Sequence, residues 1–260
     1  MNELTPPDDA PAKPTAAAKP ALVPVDDQPP CDGCGKLPAL CVCAEVVPVQ
    51  NKLGVLILQH PQEQDMELGT ARLANVALAK SGLRVGLSWP SLAKAVGKPI
   101  DPKRWAIIYL GSVKPTALPP GREVVAVDRK GVPLTNQDTA LASLDGIVLL
   151  DGTWSQAKAL WWRNAWMLKL PRLVLAPKRP SHYGRLRREP RAEGLSTLEA
   201  VALALARLEK RPEIETKLVG VFDLLLGRYR ATQSSRPGSP SPATANSPGA
   251  KRHRPRRRSA

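Results

Sequence analysis

The sequence predicts an α/β domain built on a largely parallel sheet and preceded by a segment that contains every cysteine of the chain. Two observations predict the sheet: short apolar runs recur along the middle of the chain, and helical patterns follow several of them. The third observation is that Cys31, Cys34, Cys41 and Cys43 lie within thirteen residues. With 260 residues, the chain is long enough to bury one sizeable core.

The apolar runs have the length and composition of buried parallel strands. They are LGVLIL (53–58), WAIIYL (105–110), EVVAV (123–127), GIVLL (146–150) and RLVLA (172–176). Apolar residues at three- and four-residue spacing predict helices near 73–80 and 154–161, and two C-terminal helices over 196–209 and 213–229. The same spacing predicts that Trp161, Trp162 and Trp166 pack in the core. Ligands bind at the carboxyl ends of parallel strands, so residues directly after these runs are candidates for a site.

Composition divides the chain into four parts. Residues 1–30 contain eight prolines, and residues 231–260 contain seven Lys or Arg and no acidic residue. Both ends have too few apolar side chains to offset the entropy cost of ordering, so we expect both to be disordered. Between them we expect a cysteine segment over residues 31–50 and the α/β domain over residues 51–230.

The net charge of +15 indicates an acidic partner such as a nucleic acid. No run approaches the roughly 18–20 apolar residues that span a bilayer, so an integral membrane protein is not expected. The first residues have neither the basic start nor the apolar stretch of a secretory signal. We therefore expect a cytoplasmic protein that does not act at a membrane. The sequence does not determine its oligomeric state.

The spacing of the four cysteines is compatible with one tetrahedral zinc bound by four thiolates. The alternatives are two disulfides or four free thiols. Disulfides need an oxidising compartment, of which this sequence gives no sign. Four protein ligands leave no open position, so the predicted zinc would be structural. It would hold the polar segment CDGCGKLPALCVC, which has little core of its own.

Two polar motifs directly follow predicted strands. After the first run comes QHPQE (59–63), in which His60 is a candidate site residue. The alternative is a plain corner at which the proline ends the strand.

After GIVLL comes DGTWSQ (151–156), in which Asp151 precedes a helix-capping pattern formed by Thr153 and Gln156. A carboxylate at a strand end beside a helix N-terminus suits a general base or an orienting group. The alternative is a capped helix start anchored by Trp154.

Two further motifs lie in the C-terminal third. LSTLEA (195–200) contains a capping box between Ser196 and Glu199 before an apolar run, and helix capping alone accounts for this pattern. SHYGRLRR (181–188) places arginines close to a short aromatic segment. Such a segment suits phosphate contacts and base stacking, or is simply a solvated charged face.

The ordered series of these motifs resembles the family of DTW-domain tRNA-uridine aminocarboxypropyltransferases. The series is CDGCGKLPALCVC, VLILQHPQE, LLDGTWSQAKAL, LPRLVLAPKR and SHYGRLRREPRAEGLSTLEAVALAL, and it covers nearly all of residues 31–230. Each motif is weak alone, but their order and spacing together are specific. The Asp-Thr-Trp that names the family is present as Asp151, Thr153 and Trp154, with Gly152 inserted.

The resemblance implies a SPOUT-like α/β fold with a C-terminal trefoil knot, which general base rates for knots would not predict. It also implies S-adenosylmethionine as donor, its 3-amino-3-carboxypropyl arm as the group transferred, and a tRNA uridine imide nitrogen as acceptor; DNA is not expected as a partner. The expected catalytic residues are Asp151, Trp154 and His60. The expected donor-binding residues are Leu110, Gly111, Ser112, Thr153, Leu195, Ser196 and Thr197. The expected tRNA-binding residues are Tyr183, Arg185, Arg187 and Arg188, with Tyr183 or Trp154 stacking on the displaced base.

Two other functions remain open at the level of sequence. A SPOUT-type RNA methyltransferase would use the same donor and substrate class but would release S-adenosylhomocysteine instead of methylthioadenosine. A non-catalytic zinc-ribbon RNA-binding protein would explain the basic charge and the cysteines. It would give no reason for the motifs at Asp151 and at Ser196 and Thr197.

Overall fold

The computed structural model describes residues 28–108, 118–186 and 194–234, and its centre is a six-stranded sheet. The strands are β1 (Gly54–Gln59), β2 (Ser81–Val85), β3 (Trp105–Ile108), β4 (Val124–Val127), β5 (Gly146–Asp151) and β6 (Arg172–Leu175). They lie in the order β2-β1-β5-β3-β6-β4. Only β4 runs antiparallel to its neighbour, and the other four pairings are parallel. The predicted α/β architecture with a largely parallel sheet is therefore confirmed.

Six α-helices accompany the sheet in the described ranges. They are α1 (Ala71–Val76), α2 (Leu92–Val96), α3 (Gln137–Ala142), α4 (Trp154–Arg163), α5 (Thr197–Leu208) and α6 (Pro212–Ser234). None of these helices combines the length and the apolar character that crossing a membrane requires.

The sheet is covered on both faces because successive side chains of a strand point in opposite directions. On β1, Ile57 belongs to a large core cluster that also contains side chains of α1, α5 and α6 and the buried Cys34. Its neighbours Leu56 and Leu58 belong to a second cluster, on the other face, with Trp161 of α4 and side chains of α2. Between the sheet and α6, helix α5 is buried on nearly every side, which explains its continuous apolar run.

The structure contains elements that the sequence pattern did not predict. Strand β2 was missed because its residues are half-buried or exposed, so it has no apolar run. Helix α1 ends at Val76, so Lys80, which the helical spacing included, lies in the turn before β2. Helices α2 and α3 have only five and six residues, too few for a periodic pattern. The predicted strand over 105–110 is observed over Trp105–Ile108, and its last two residues lie outside the described ranges.

Most of the two segments predicted to be disordered lies outside the described residues. Helix α6 nevertheless runs to Ser234, four residues into the predicted C-terminal tail. The tryptophan prediction is correct for Trp161, which is buried, and Trp166 packs half-buried against the same cluster. It is wrong for Trp162, which is 74% exposed. Adjacent helical residues point about 100° apart, so Trp162 faces outward beside a buried neighbour.

The contact between β5 and Trp105 generates a test of the core packing. A methyl group added at Gly146 would lie 2.7 Å from the Trp105 ring, so we expect Gly146→Ala to lower the free energy of unfolding by about 1–3 kcal/mol. The matched control is Gly220→Ala in α6, where nothing lies within 4 Å of the added methyl. We expect this control to raise the free energy of unfolding by about 0.5–1 kcal/mol. Urea unfolding measures both changes, and an unfolding midpoint for Gly146→Ala equal to that of the unaltered protein would contradict the packing.

Candidate active site

Asp151 is the last residue of β5 and is buried, with 8% of its surface exposed. A buried carboxylate needs hydrogen-bond donors, and two side chains from distant parts of the sequence supply them. Gln59, its register partner at the end of β1, donates from Nε2 to Oδ2 at 2.9 Å. Thr197, the first residue of α5, donates from its hydroxyl to Oδ1. The carboxyl edge of the sheet and the start of α5 therefore meet at this carboxylate.

Two capped helix N-termini border Asp151. Thr153 caps α4, and its backbone N–H donates to Gln156 Oε1 at 2.6 Å in a complete capping box. Ser196 caps α5 in a second complete capping box, with its N–H donating to Glu199 Oε2 at 2.8 Å. Both capping patterns predicted from the sequence are confirmed. Helix N-termini carry partial positive charge, so this edge of the sheet favours anionic groups.

The turn between β5 and α4 explains the inserted glycine. Gly152 has φ +153°, and a methyl group there would lie 2.9 Å from Cβ of Gln156 and 3.4 Å from Cβ of His60. His60 lies beside this turn, and its backbone N–H donates to the Asp151 carbonyl at 2.9 Å. Its ring Nδ1 accepts from the Gln62 N–H at 3.3 Å. A neutral ring with this acceptor carries its proton on Nε2, so Nε2 offers a donor rather than a base.

Glu199 connects α5 to the segment that precedes it. This carboxylate is buried and accepts from three donors: the Ser196 N–H, the Ser181 hydroxyl at 2.6 Å and the His182 N–H at 2.7 Å. The sequence assigned Glu199 only to helix capping and missed this second role. Nothing in the pattern indicated it, because the donors lie seventeen and eighteen residues away.

The expected stacking role of Tyr183 does not fit its position. Tyr183 is 3% exposed, its ring packs edge-on against Phe222 at 4.9 Å between centroids, and its hydroxyl donates to the Leu68 carbonyl at 2.6 Å. A ring buried in this way cannot receive a base. Trp154 remains a candidate because it is half-buried at the start of α4.

The other predicted residues are placed as follows. Arg185 is exposed and Leu195 is half-buried. Leu110, Gly111, Ser112, Arg187 and Arg188 lie outside the described residues. Their roles remain predictions.

The four cysteine sulfurs lie within 4.8 Å of one another. The Sγ atoms of Cys31 and Cys43 are 3.8 Å apart, and those of Cys34 and Cys41 are 3.7 Å apart. These separations exceed a disulfide bond of about 2.0 Å and match the edge of about 3.8 Å in a tetrahedron with 2.3 Å zinc–sulfur bonds. The cluster therefore has the donors and the shape to hold one metal ion.

The thiol environments also suit a cation. Backbone N–H groups of Cys34 and Gly33 lower the pKa of Cys31 to about 7. Burial, and after it the neighbouring thiols, raise the pKa of Cys43. A bound cation would offset this cost of collecting thiolates in a partly buried place.

Lys36 is a buried cation inside the cysteine segment that sequence reasoning missed. It is 6% exposed, and its ammonium donates to the Met66 carbonyl at 2.6 Å. Burial lowers its pKa to about 8, while the charges of Cys34 and Asp151 oppose that shift. The ammonium is thus within electrostatic reach of the Asp151 carboxylate. The only sequence signal for Lys36 was its place inside CDGCGKLPALCVC, where a lysine is expected to be exposed.

A separate pocket lies at the opposite edge of the sheet. Its lining includes Gly54, Trp105 and Asp145, at or next to the amino ends of β1, β3 and β5. Parallel sheets bind ligands at their carboxyl ends, where buried Asp151 and the two capped helices converge. We therefore assign the candidate active site to the carboxyl edge.

Comparison with known proteins identifies the family of this chain. Residues 28–230 match the family model described as the DTW domain. The chain is 31% identical over 207 residues to tRNA-uridine aminocarboxypropyltransferase 2 of Drosophila melanogaster, covering 76% of each chain. It is 26% identical to the protein of that name from Macaca fascicularis and 28% identical to that from Mus musculus.

The matched regions differ in how much of each relative they span. They cover 75% and 74% of this chain but only 62% and 60% of the macaque and mouse proteins, respectively. No solved structure is significantly similar to the chain.

The environment of Glu199 generates a test of the site's framework. Glu199→Gln keeps the size of the side chain but replaces one carboxylate oxygen by an NH2 group. That group would face the N–H or hydroxyl groups that now donate to Glu199. We expect the free energy of unfolding to fall by about 1–3 kcal/mol. The control is Glu215→Gln, whose carboxylate is partly exposed in an ion pair with Arg207, and we expect a change below about 1 kcal/mol. Urea unfolding measures both, and equal effects would show that Glu199 does not hold this region together.

Proposed function

This chain belongs to the DTW-domain family, and we therefore propose that it is a tRNA-uridine aminocarboxypropyltransferase. The proposed donor is S-adenosylmethionine, which gives up its 3-amino-3-carboxypropyl arm and leaves as methylthioadenosine. The acceptor is the ring imide nitrogen of a tRNA uridine. The names of the three relatives support this proposal. The structural observation that carries it is a buried carboxylate, Asp151, held by two donors at the ligand-binding edge of the sheet.

The chemistry needs positioning more than activation, because the sulfonium sulfur of the donor is already a good leaving group. The imide nitrogen loses its proton and forms a bond to the side-chain carbon attached to sulfur. The carbon–sulfur bond breaks, and its electron pair stays on sulfur, which becomes a neutral thioether. No metal and no covalent enzyme intermediate is required by this balance.

Asp151 is proposed to accept or orient the imide proton. An ionised carboxylate has about four acceptor positions, and Gln59 and Thr197 occupy one on each oxygen. The remaining capacity is available to a substrate N–H. Trp154 is proposed to stack on the displaced uracil. His60 is the less suitable base, because its Nδ1 already accepts a hydrogen bond.

The donor is proposed to bind against the N-termini of α4 and α5, which suit its carboxylate. Thr153 and Thr197 lie at these two helix starts. The hydroxyl and N–H of Ser196 are occupied by the capping box, so its proposed role is to fix α5. Leu110, Gly111, Ser112 and Leu195 remain proposed donor contacts, and Arg185, Arg187 and Arg188 proposed tRNA contacts.

We propose that the cysteine cluster holds structural zinc. A closed set of four thiolates fits zinc and leaves no position for substrate. In this role the metal would fix the segment that carries Lys36. We also propose that the fold belongs to the SPOUT-like knotted class. The mostly parallel sheet supports this, while residues 187–193, which lead into α5, lie outside the described residues.

The by-product separates this function from the alternatives. A methyltransferase would attack the methyl carbon and release S-adenosylhomocysteine, and a non-catalytic RNA-binding protein would release neither compound. Nucleoside mass spectrometry of tRNA from cells with and without the protein would identify the modified uridine.

Substitution of the carboxylate tests the proposed reaction. Asp151→Asn is expected to fold and to bind S-adenosylmethionine, because the amide oxygen can accept from Gln59 while the amide nitrogen donates to the Thr197 hydroxyl. Glu199 differs because it faces backbone N–H groups, which cannot accept. Transfer should fall by a factor on the order of 10²–10⁴, the usual scale for loss of a general base. Methylthioadenosine release measures turnover, and calorimetry measures donor binding. The control is Asp138→Asn at an exposed ion pair, which should retain full turnover. Full turnover by Asp151→Asn would remove this carboxylate from the mechanism.

Metal content tests the proposed zinc site. Elemental analysis of the purified protein should find about one zinc per chain. Cys34→Ser replaces a buried thiol ligand and should lower both the zinc content and the melting temperature. A fully active preparation that contains no metal would contradict the proposed zinc site.

A further inference from the structure

Trp162 is an exposed indole on the outer face of α4. It is 74% exposed, although tryptophan is among the residues that are most buried on average. Single exposed apolar residues are common, so the exposure alone does not indicate a partner. Its neighbourhood does, because Lys158 precedes it by one helical turn and Arg163 follows it directly, both exposed. We call Lys158, Trp162 and Arg163 of α4, together with the exposed Lys169 of the short 3-10 helix that follows α4, the α4 strip.

The α4 strip begins next to the candidate active site. Helix α4 starts three residues after Asp151, and Trp154 is its first residue. At 1.5 Å per residue, Trp162 lies about 12 Å along the helix axis from Trp154. Eight residues correspond to slightly more than two turns, so the two indoles differ by only about 80° around the axis. The α4 strip is therefore an exposed surface of the same helix that begins at the candidate active site.

The charge of the strip has one sign. Residues 154–170 contain Lys158, Arg163 and Lys169 and no Asp or Glu. In the described part of the chain, none of these three cations takes part in an ion pair. A segment that combines cations without ion-pair partners and an exposed aromatic ring suits unpaired nucleotides, because phosphates neutralise the cations while a base stacks on the ring.

We propose that the α4 strip binds the tRNA next to the target uridine, with Trp162 stacking on an unpaired base and Lys158, Arg163 and Lys169 contacting the flanking phosphates. The identity of the RNA rests on the proposed function. A second copy of the chain is a poorer occupant, because a two-fold contact would bring identical cations together.

The test separates stacking from charge. Trp162→Ala should weaken tRNA binding by about 5- to 150-fold, the range that corresponds to removal of base–aromatic stacking. The slope of log affinity against log salt should not change, because all cations are retained. Trp162→Phe keeps a ring and should recover most of the affinity. Val132→Ala, at another exposed apolar residue, is the control and should bind tRNA like the unaltered protein.

Removing the cations should change the salt dependence of tRNA binding, which Trp162→Ala leaves unchanged. Lys158→Gln combined with Lys169→Gln should reduce the salt slope by about 0.7–0.9 for each phosphate that the variant no longer neutralises. Calorimetry should give unaltered S-adenosylmethionine binding for every variant. At saturating tRNA, Trp162→Ala should regain the unaltered kcat, so the defect appears in KM.

The outcomes also separate this proposal from the proposed function. If Trp162→Ala binds tRNA with unchanged affinity, the proposal that the α4 strip binds tRNA is wrong, and the proposed transfer reaction is unaffected. If the unaltered protein releases no methylthioadenosine but Trp162→Ala still weakens tRNA binding, the strip stands and the proposed reaction fails. If light scattering shows a dimer that Trp162→Ala converts to monomers, the strip is a self-association surface and the RNA proposal is wrong.

Discussion

The burial of the Asp151 carboxylate is the constraint on which the site depends. A buried carboxylate needs hydrogen-bond donors, and here they come from Gln59, 92 positions earlier in the chain, and Thr197, 46 positions later. Satisfying it brings together the end of β1, the end of β5 and the start of α5. These same three places carry the motifs that stood apart in the sequence. A hydrogen-bonding requirement of one side chain thus organises the edge at which the proposed chemistry occurs.

Helix α5 connects the Asp151 carboxylate to the core of the fold. Its buried apolar surface fixes it between the sheet and α6, while its first turn contacts three other segments. Thr197 contacts Asp151, Glu199 holds the Ser181 hydroxyl and the His182 N–H, and the Leu198 N–H donates to the Thr70 hydroxyl at 3.2 Å. Because the helix start and the helix body are anchored separately, the site is built on a rigid element rather than on a loop.

The cysteine segment contributes a buried cation that interacts electrostatically with Asp151. Its four sulfurs lie within 4.8 Å of one another, and its loop carries the buried Lys36, whose ammonium donates to the Met66 carbonyl. Burial makes this ammonium costly, and the Asp151 charge offsets part of that cost. A metal at the cysteines would thus contribute to the site through the chain that it holds, without touching a substrate.

The sequence by itself determined the α/β class, both capping boxes, the cysteine cluster and Asp151 as the residue at a strand end. These are local properties: apolar runs, residue spacing and the chemistry of neighbouring side chains identify them without knowledge of the fold. Only the tertiary structure decided the roles of Gln59, Lys36 and Glu199, because their partners are distant in sequence and an apolar pattern does not reveal which polar side chains are buried. It also reversed two aromatic assignments. Tyr183 is buried because its ring packs on Phe222 in the core, where the Leu68 carbonyl accepts from its hydroxyl. Trp162 is exposed because no element of the described structure covers that side of α4.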